Sequence, residues 1–391
     1  MVTLSDIRDA YEKAVRGHES SSDYINFAIN EEYNLMKLLN DITTRTFTPH
    51  SYAFIKKTPR PREVFGCFEA DRIVHYLIDK DLRPLVESRL TNCTYNNRIG
   101  YGTINAVLKV VELTKEVSDN FTKDAYYIKL DYSGFFPNAN MNIVHSKLVK
   151  LIDESYKGDD IDQLKYLLRT CLLTNPTKNC EIRFDENEYK LIEPYKSIFT
   201  KPDGIGAAIG YLINQLAMNY YVNDIDVFLV NKGVLFVRFV DDLLIVTTNK
   251  SNILNLIPTI RSMSSQIGCE LSKKKFYCQH ISKGVEFLGY HIKLNRIHLN
   301  NRIYARWIHK LEGYNRKPEL RKVFKFQATM NSYLGMTKIT NDDNKVNQII
   351  TKVNSEWYQW INFNSKRRCF QLKPEYNISS ILDYLYHYKL A

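Results

Sequence analysis

The sequence predicts an α+β fold, with helices interleaved among short antiparallel strands, rather than a doubly wound parallel sheet. Two observations predict it. Long windows carry apolar residues at a 3.6-residue period, as in residues 69–90, where Ile73, Val74, Leu77, Ile78 and Leu82 fall on one face. Between such windows stand brief β-rich runs, Tyr126 to Leu130, Leu235 to Val240 and Leu243 to Thr247, in no regular alternation with helices.

Taken in order, residues 1–45 mix polar and apolar positions at helical spacing. Thr58-Pro59-Arg60-Pro61-Arg62 breaks that pattern, because each proline removes a backbone donor. The helix over 69–90 is followed by a loop, Asn96 to Gly102, and by another helix from Thr103. The run from Tyr126 ends at Asp131, and residues 141–174 read as helical. Residues 180–196 are polar and strand-like, a candidate hairpin. Residues 201–210 are glycine-rich, and one long helix is expected from about Tyr211 to Asp226. A helix covers about 250–267, residues 284–299 read as a strand pair, and the last ~90 residues read as mostly helical.

With 44% hydrophobic and 25% charged residues in 391, the chain can bury a sizeable core, which excludes disorder as its main state. No apolar run approaches the ~18 residues of a membrane span. The N-terminus has no basic segment leading into an apolar stretch, so no secretory signal is expected and a cytoplasmic location is. Seven scattered cysteines with no C-x-x-C pair argue for reduced thiols rather than disulfides or a zinc site. The net charge is +11, and residues 296–391 hold 17 Lys+Arg against 7 Asp+Glu. That asymmetry suggests a C-terminal lobe that meets a polyanion; the alternative is a solvated basic helix surface.

The most informative feature is Asp241-Asp242, set between two apolar runs. Charges beside a buried sheet are costly, so they belong in the exposed turn, and adjacent carboxylates repel unless a cation compensates them. Asp131 also ends a β run. If that strand neighbours the hairpin, three carboxylates meet at one sheet edge. Oxygen ligands of this kind suit Mg²⁺, with Mn²⁺ as the alternative. Two such ions ~3.5–4 Å apart support nucleotidyl transfer. The competing reading is a polar turn and an unrelated strand-end aspartate.

These motifs resemble the reverse transcriptases over most of the chain. Tyr127-Ile128-Lys129-Leu130-Asp131-Tyr132-Ser133-Gly134-Phe135-Phe136 resembles the family's first palm motif, and Phe239-Val240-Asp241-Asp242 its Y-x-D-D box. Leu271 to Lys275 and Gly284 to Tyr290 resemble the segments that follow. The resemblance implies a right-hand polymerase with fingers over 1–120, an antiparallel-sheet palm over 121–295 carrying a fingers-side insertion near 141–205, and a basic helical thumb over 296–391. It implies Asp131, Asp241 and Asp242 as metal-binding acids for two Mg²⁺ ions, and Lys275 as the proton donor to pyrophosphate, with a solvated basic turn as the alternative. Arg72, Tyr132, Phe136, Ile209 and Gly210 would contact the dNTP, Phe136 as a steric gate against a 2′-hydroxyl or else as a core aromatic. Arg60, Arg62, Arg98, Asn214, Gln215, Phe239, Arg306 and Lys310 would contact template or primer. Lys317, Arg316, Arg321, Lys322 and Lys325 extend the thumb's basic face.

Ile209-Gly210-Tyr211-Leu212-Ile213-Asn214-Gln215 resembles the I-G-x-x-x-S-Q variant of diversity-generating retroelement enzymes, where most of the family shows Q-G-x-x-x-S-P. Pro61 to Phe65, Asp71 to His75, Gly100 to Thr103 and Asn331 to Gly335 resemble the same subgroup. The resemblance implies a bacterial or phage-encoded enzyme that copies a template-repeat RNA with errors at adenines, for mutagenic retrohoming, with a small basic helical accessory protein as a further partner. An apolar side chain at Ile209 discriminates mispairs less than a hydrogen-bonding one. Phe239 departs from the family's Tyr, and Asn214 from the subgroup's Ser. Two other readings stand beside this one: a retron or phage-defence reverse transcriptase, and a catalytically silent RNA-binding scaffold.

Overall fold

The computed structural model describes residues 2–19, 21–272 and 275–376. Lys273 and Lys274 of the basic run, and residues 377–391 of the expected thumb, lie outside the described residues.

In chain order, α1 (Leu4–Val15) opens on a capping box between Thr3 and Asp6, and α2 (Ser22–Ala28) and α3 (Glu31–Thr43) follow. β1 (Ser51–Lys56) and β2 (Arg62–Cys67) pair antiparallel, after which α4 (Glu69–Arg89) buries the apolar stripe that its periodicity foretells. Next come α5 (Thr103–Val117), β3 (Tyr126–Asp131), α6 (Met141–Ser155), α7 (Ile161–Leu173), β4 (Cys180–Ile182) and α8 (Glu186–Tyr189). α9 (Leu212–Tyr221) and α10 (Asn223–Asn231) lead into β5 (Phe236–Phe239), β6 (Asp242–Thr247), α11 (Lys250–Gln266) and β7 (Tyr277–His280). β8 (Val285–Phe287), β9 (Tyr290–Lys293), β10 (Arg296–Leu299), α12 (Asn301–Asn315), α13 (Val323–Met336), α14 (Asp343–Ile350), β11 (Ile361–Asn364) and β12 (Cys369–Leu372) complete the described chain. The mixture of helices with antiparallel strands is the α+β class.

The chain divides into two compact units, Met1–Gly102 with Ile128–Cys278, and Thr103–Tyr127 with the residues from Gln279 onward. In the first unit α4 packs against α1 and α9, and its buried Ile73, Val74, Ile78 and Leu82 form the centre of the core. A four-stranded sheet runs in the order β5-β6-β3-β7, so the strand ending at Asp131 lies beside the strand beginning at Asp242. A smaller sheet, β2-β1-β4, has β1 antiparallel to β2 and parallel to β4. In the second unit β8, β9 and β10 form an antiparallel meander. Its helical core stacks Phe326 on Trp357 at 4.3 Å between centroids. Asn331 clasps Phe370 of β12 through both backbone groups, at 2.7 and 2.9 Å.

Four local expectations change. The expected single helix over 211–226 is two helices broken at Val222, because buried Asn223 turns its amide to the Arg89 carbonyl at 3.0 Å. The expected hairpin over 180–196 is one short strand on β1 and a helical turn, since Asp185 and Glu188 close a capping box. Residues 284–299 hold three strands rather than two. The mostly helical C-terminal region contains the hairpin β11–β12, whose two-residue alternation around Phe363 and Phe370 is a strand signal. Among the described residues no helix is long and apolar enough to cross a membrane. All seven cysteines are free thiols.

Candidate functional site

The site is built within the first unit. Asp131 ends β3, and the two-residue connection from β5 to β6 is Val240-Asp241, with Phe239 paired to Asp242. The turn is thus displaced by one residue from the Asp241-Asp242 pair that the sequence suggests, and Asp242 is already the first residue of β6. Lys129 stands two residues before Asp131, on the same face of β3, and its Nζ lies 2.8 Å from Asp242 Oδ1. Lys275 Nζ lies 2.6 Å from Asp131 Oδ1. The segment bearing Lys275 is docked by Ser133 N–H on the Glu270 carbonyl at 2.7 Å and Ser272 N–H on the Asp131 carbonyl at 2.8 Å.

Burial pushes Asp241 up to about 6, and the charges of Asp242 and Asp131 add to the shift. The three acids therefore share one electrostatic neighbourhood. Among the described residues, however, no group of three or more His, Cys, Asp or Glu is arranged to hold a metal ion. Asp131 and Asp242 each face a lysine instead.

A buried network stands behind the turn. Arg238, with no exposed surface, donates from Nε to both Asp226 oxygens at 2.9 and 2.7 Å and from Nη2 to Thr94 Oγ1 at 3.0 Å. Sequence reasoning missed Arg238, Asp226, Thr94 and Asn96. The available signal was an arginine in the middle of the apolar run Leu235 to Val240, where a buried guanidinium requires a carboxylate.

The other expected residues are distributed unevenly. Phe136 is half-buried, with its ring edge-on to Phe135 at 5.6 Å, and its carbonyl accepts Ala207 N–H at 2.8 Å. That bond brings the 206–210 loop beside the first motif. Phe65 N–H then holds the Ile209 carbonyl at 2.8 Å, and Gly210 is suited to its place twice over, by φ +119 and by a Phe65 carbonyl oxygen that a Cβ there would strike. Tyr132 and Asn214 are core residues, 2% and 3% exposed. The Tyr132 ring lies 5.4 Å from Phe135, and Asn214 donates to the Ala208 carbonyl at 3.1 Å. Both side chains are packed in the core, and Asn214 Oδ1 is buried with no hydrogen-bond partner. Gln215 is exposed and Phe239 half-buried at the end of β5.

Arg72 is half-buried and reaches Glu69 and the Cys67 carbonyl, both at 3.4 Å, so it is only loosely tied. Arg98 is committed to its own loop, donating to the Thr91 carbonyl at 2.7 Å and lying 4.1 Å from the Tyr101 ring centroid. Arg60 and Arg62 are exposed. Arg306 and Lys310 lie in the second unit on the exposed side of α12, opposite buried Trp307 and Leu311.

Residues 35–292, well over half of the chain, match the family model described as reverse transcriptase (RNA-dependent DNA polymerase). A search of the curated proteins finds no match. Among solved structures, the chain is similar to telomerase from Candida albicans with a TWJ fragment of telomeric RNA, at 14% identity over 78% of this chain and 55% of that one, TM-score 0.45. Apo telomerase from Candida tropicalis gives 11% identity over 80% and 57%, TM-score 0.48. The chain spans just over half the length of these structures.

Proposed function

The chain belongs to the reverse transcriptase family, and from that premise we propose that it is an RNA-directed DNA polymerase of the diversity-generating type, acting by two-metal nucleotidyl transfer. The observation that carries the polymerase reading is the adjacency of β3 and β6, which puts Asp131 next to the Val240-Asp241 turn and Asp242. The donor set suits hard divalent cations: it is all carboxylate oxygen, and Asp241 carries a like-charge burden that a cation would relieve. Mg²⁺ or Mn²⁺ would be held by Asp131, Asp241 and Asp242, with Lys129 and Lys275 yielding their pairings. Bound there, two ions supply activation of the primer 3′-hydroxyl and stabilisation of the departing pyrophosphate.

The chain's own residues do the rest. Lys275 donates a proton to the leaving pyrophosphate. Arg72, freed from its long contacts, grips the triphosphate through a bidentate fork. Phe136 packs under the sugar and excludes a 2′-hydroxyl. Ile209 and Gly210 line the nucleotide position with apolar side chain and bare backbone. Arg60, Arg62, Gln215 and Phe239 contact template and primer. In this reading residues 1–120 are fingers, 121–295 palm with the insertion near 141–205, and 296–391 the thumb, whose Arg306 and Lys310 meet phosphates of the RNA/DNA hybrid in a salt-sensitive way. A small basic helical accessory protein is the further partner.

The diversity-generating assignment rests on Ile209 and Gln215, with Gly210 common to both patterns. One experiment tests both levels. Purified protein is given RNA from its own locus, dNTPs and Mg²⁺ or Mn²⁺, with any accessory partner, and the cDNA is sequenced. Substitutions concentrated opposite template adenines are expected, and none of the product with Asp241→Ala. Faithful cDNA would retain the polymerase and remove the subtype; absence of dNTP incorporation would remove both in favour of a silent RNA-binding scaffold.

A further inference from the structure

Val240, the residue before Asp241, has φ +58. That left-handed backbone is unfavourable for a β-branched side chain and persists only where the surroundings impose it. Two side chains impose it here. Asn96 Oδ1 accepts the Val240 N–H at 2.8 Å, and Arg238 Nη1 donates to the Val240 carbonyl at 3.2 Å. Both polar groups that flank the strained residue are thus held from behind.

The holders are themselves fixed. Asn96 is 6% exposed, and its carbonyl accepts Asn219 Nδ2 at 2.8 Å. Arg238 is tied to Asp226 and Thr94, and donates from Nη2 to the Asn219 carbonyl at 3.1 Å. Its backbone joins the same segment, with Arg238 N–H on the Cys93 carbonyl at 2.7 Å and Tyr95 N–H on the Arg238 carbonyl at 2.9 Å. A buried ion pair of this kind adds little net stability compared with apolar packing, but it admits one geometry. Of the network, Asn96 and Arg238 touch the residue before Asp241, and Asp226, Thr94 and Asn219 hold those two.

We propose that Asn96 and Arg238 are positioning residues: together they clamp Val240 in the left-handed conformation, and that conformation aims Asp241 into the carboxylate cluster. The clamp itself rests on geometry alone. Its consequence for catalysis rests on the polymerase reading of the site.

Amide hydrogen exchange and nucleotide incorporation test it together. In metal-free wild-type protein the Val240 amide is protected. In Asn96→Ala its exchange rises about tenfold or more, while Leu244 inside β6 keeps its protection, as local opening requires. Incorporation by Asn96→Ala falls about tenfold in kcat with the dNTP KM within about twofold, because misplacement rather than binding is at fault. Adding Val240→Gly to Asn96→Ala recovers most of that loss, since glycine takes positive φ without penalty. A merely structural defect would be deepened by a second weakening change. Asn96→Asp, which keeps an acceptor oxygen, retains protection and kcat, and serves as the variant should Asn96→Ala lose the Leu244 protection and so prove unfolded. Equal Val240 protection in wild type and Asn96→Ala, or a double variant no faster than the single one, overturns the proposal. If wild type incorporates no dNTP, the polymerase reading fails, and amide exchange alone decides the clamp.

Discussion

Lys275 Nζ lies 2.6 Å from Asp131 Oδ1, so an ammonium already faces the carboxylate that ends β3. The lysine side chain is 53% exposed and the aspartate 11%, which makes the pair weak as a stabiliser and well placed as a mobile acid. Lys275→Met is therefore expected to lower the incorporation rate on the order of 100-fold, the scale of a lost general acid. The unfolding free energy should change by less than about 1 kcal/mol. Single-nucleotide incorporation by rapid quench, with urea melts alongside, checks both. An unchanged rate would remove Lys275 from the chemistry.

Asp71 supplies a pH test of the fold. It is 5% exposed, and burial pushes it up to about 7 even though it accepts the His50 N–H at 2.8 Å. The folded carboxyl thus holds its proton more tightly than the unfolded one does. Its contribution is fully present below about pH 4 and is lost as pH rises through about 7, by an amount up to a few kcal/mol. Asp71→Asn keeps an oxygen for His50 and removes the charge. Wild type should lose stability between about pH 4 and 7 in a way the variant does not. Parallel slopes of melting temperature against pH would refute the assignment.

The reach of sequence reasoning follows from which interactions are local. The apolar stripe of α4 is periodic and β5 and β6 lie in β-rich, largely apolar runs, so Ile73, Leu77 and the Asp241-Asp242 corner could be read directly. The turn's register could not, because moving it to Val240-Asp241 depends on Asn96, far away in the chain, accepting the Val240 N–H. The burial of the Tyr132 and Asn214 side chains could not be read either, for a related reason. Motif position locates a backbone, whereas burial against Phe135 or a bond to the Ala208 carbonyl is decided by tertiary packing. Arg238 offered a readable warning, a charge in an apolar run, but its partner Asp226 lies on a helix whose break at Val222 is not periodic.

Gly210 tests the loop that carries Ile209. Its φ of +119 and the closeness of the Phe65 carbonyl oxygen leave an added methyl no flexible neighbour to displace. Gly210→Ala should cost about 2–4 kcal/mol through combined strain and backbone clash. Urea unfolding measures it. A loss below about 0.5 kcal/mol would mean that the loop can leave β2 freely.

Ile209→Gln probes fidelity without disturbing that loop. The Ile209 backbone is held by Phe65 N–H on its carbonyl at 2.8 Å, so a longer polar side chain changes the surface that the proposed function sets beside the nucleotide and not the path of the chain. An apolar contact distinguishes correct from mispaired geometry weakly, whereas a site built to hydrogen-bond rejects a partner that leaves its polar group unpaired. The substitution should therefore reduce substitutions opposite template adenines about tenfold. Errors at other bases should change less if the relaxed contact acts mainly where the pairing itself is weakest. Deep sequencing of cDNA from matched reactions reads both classes at once. An identical error spectrum in a variant with unchanged unfolding free energy would place the source of infidelity outside Ile209.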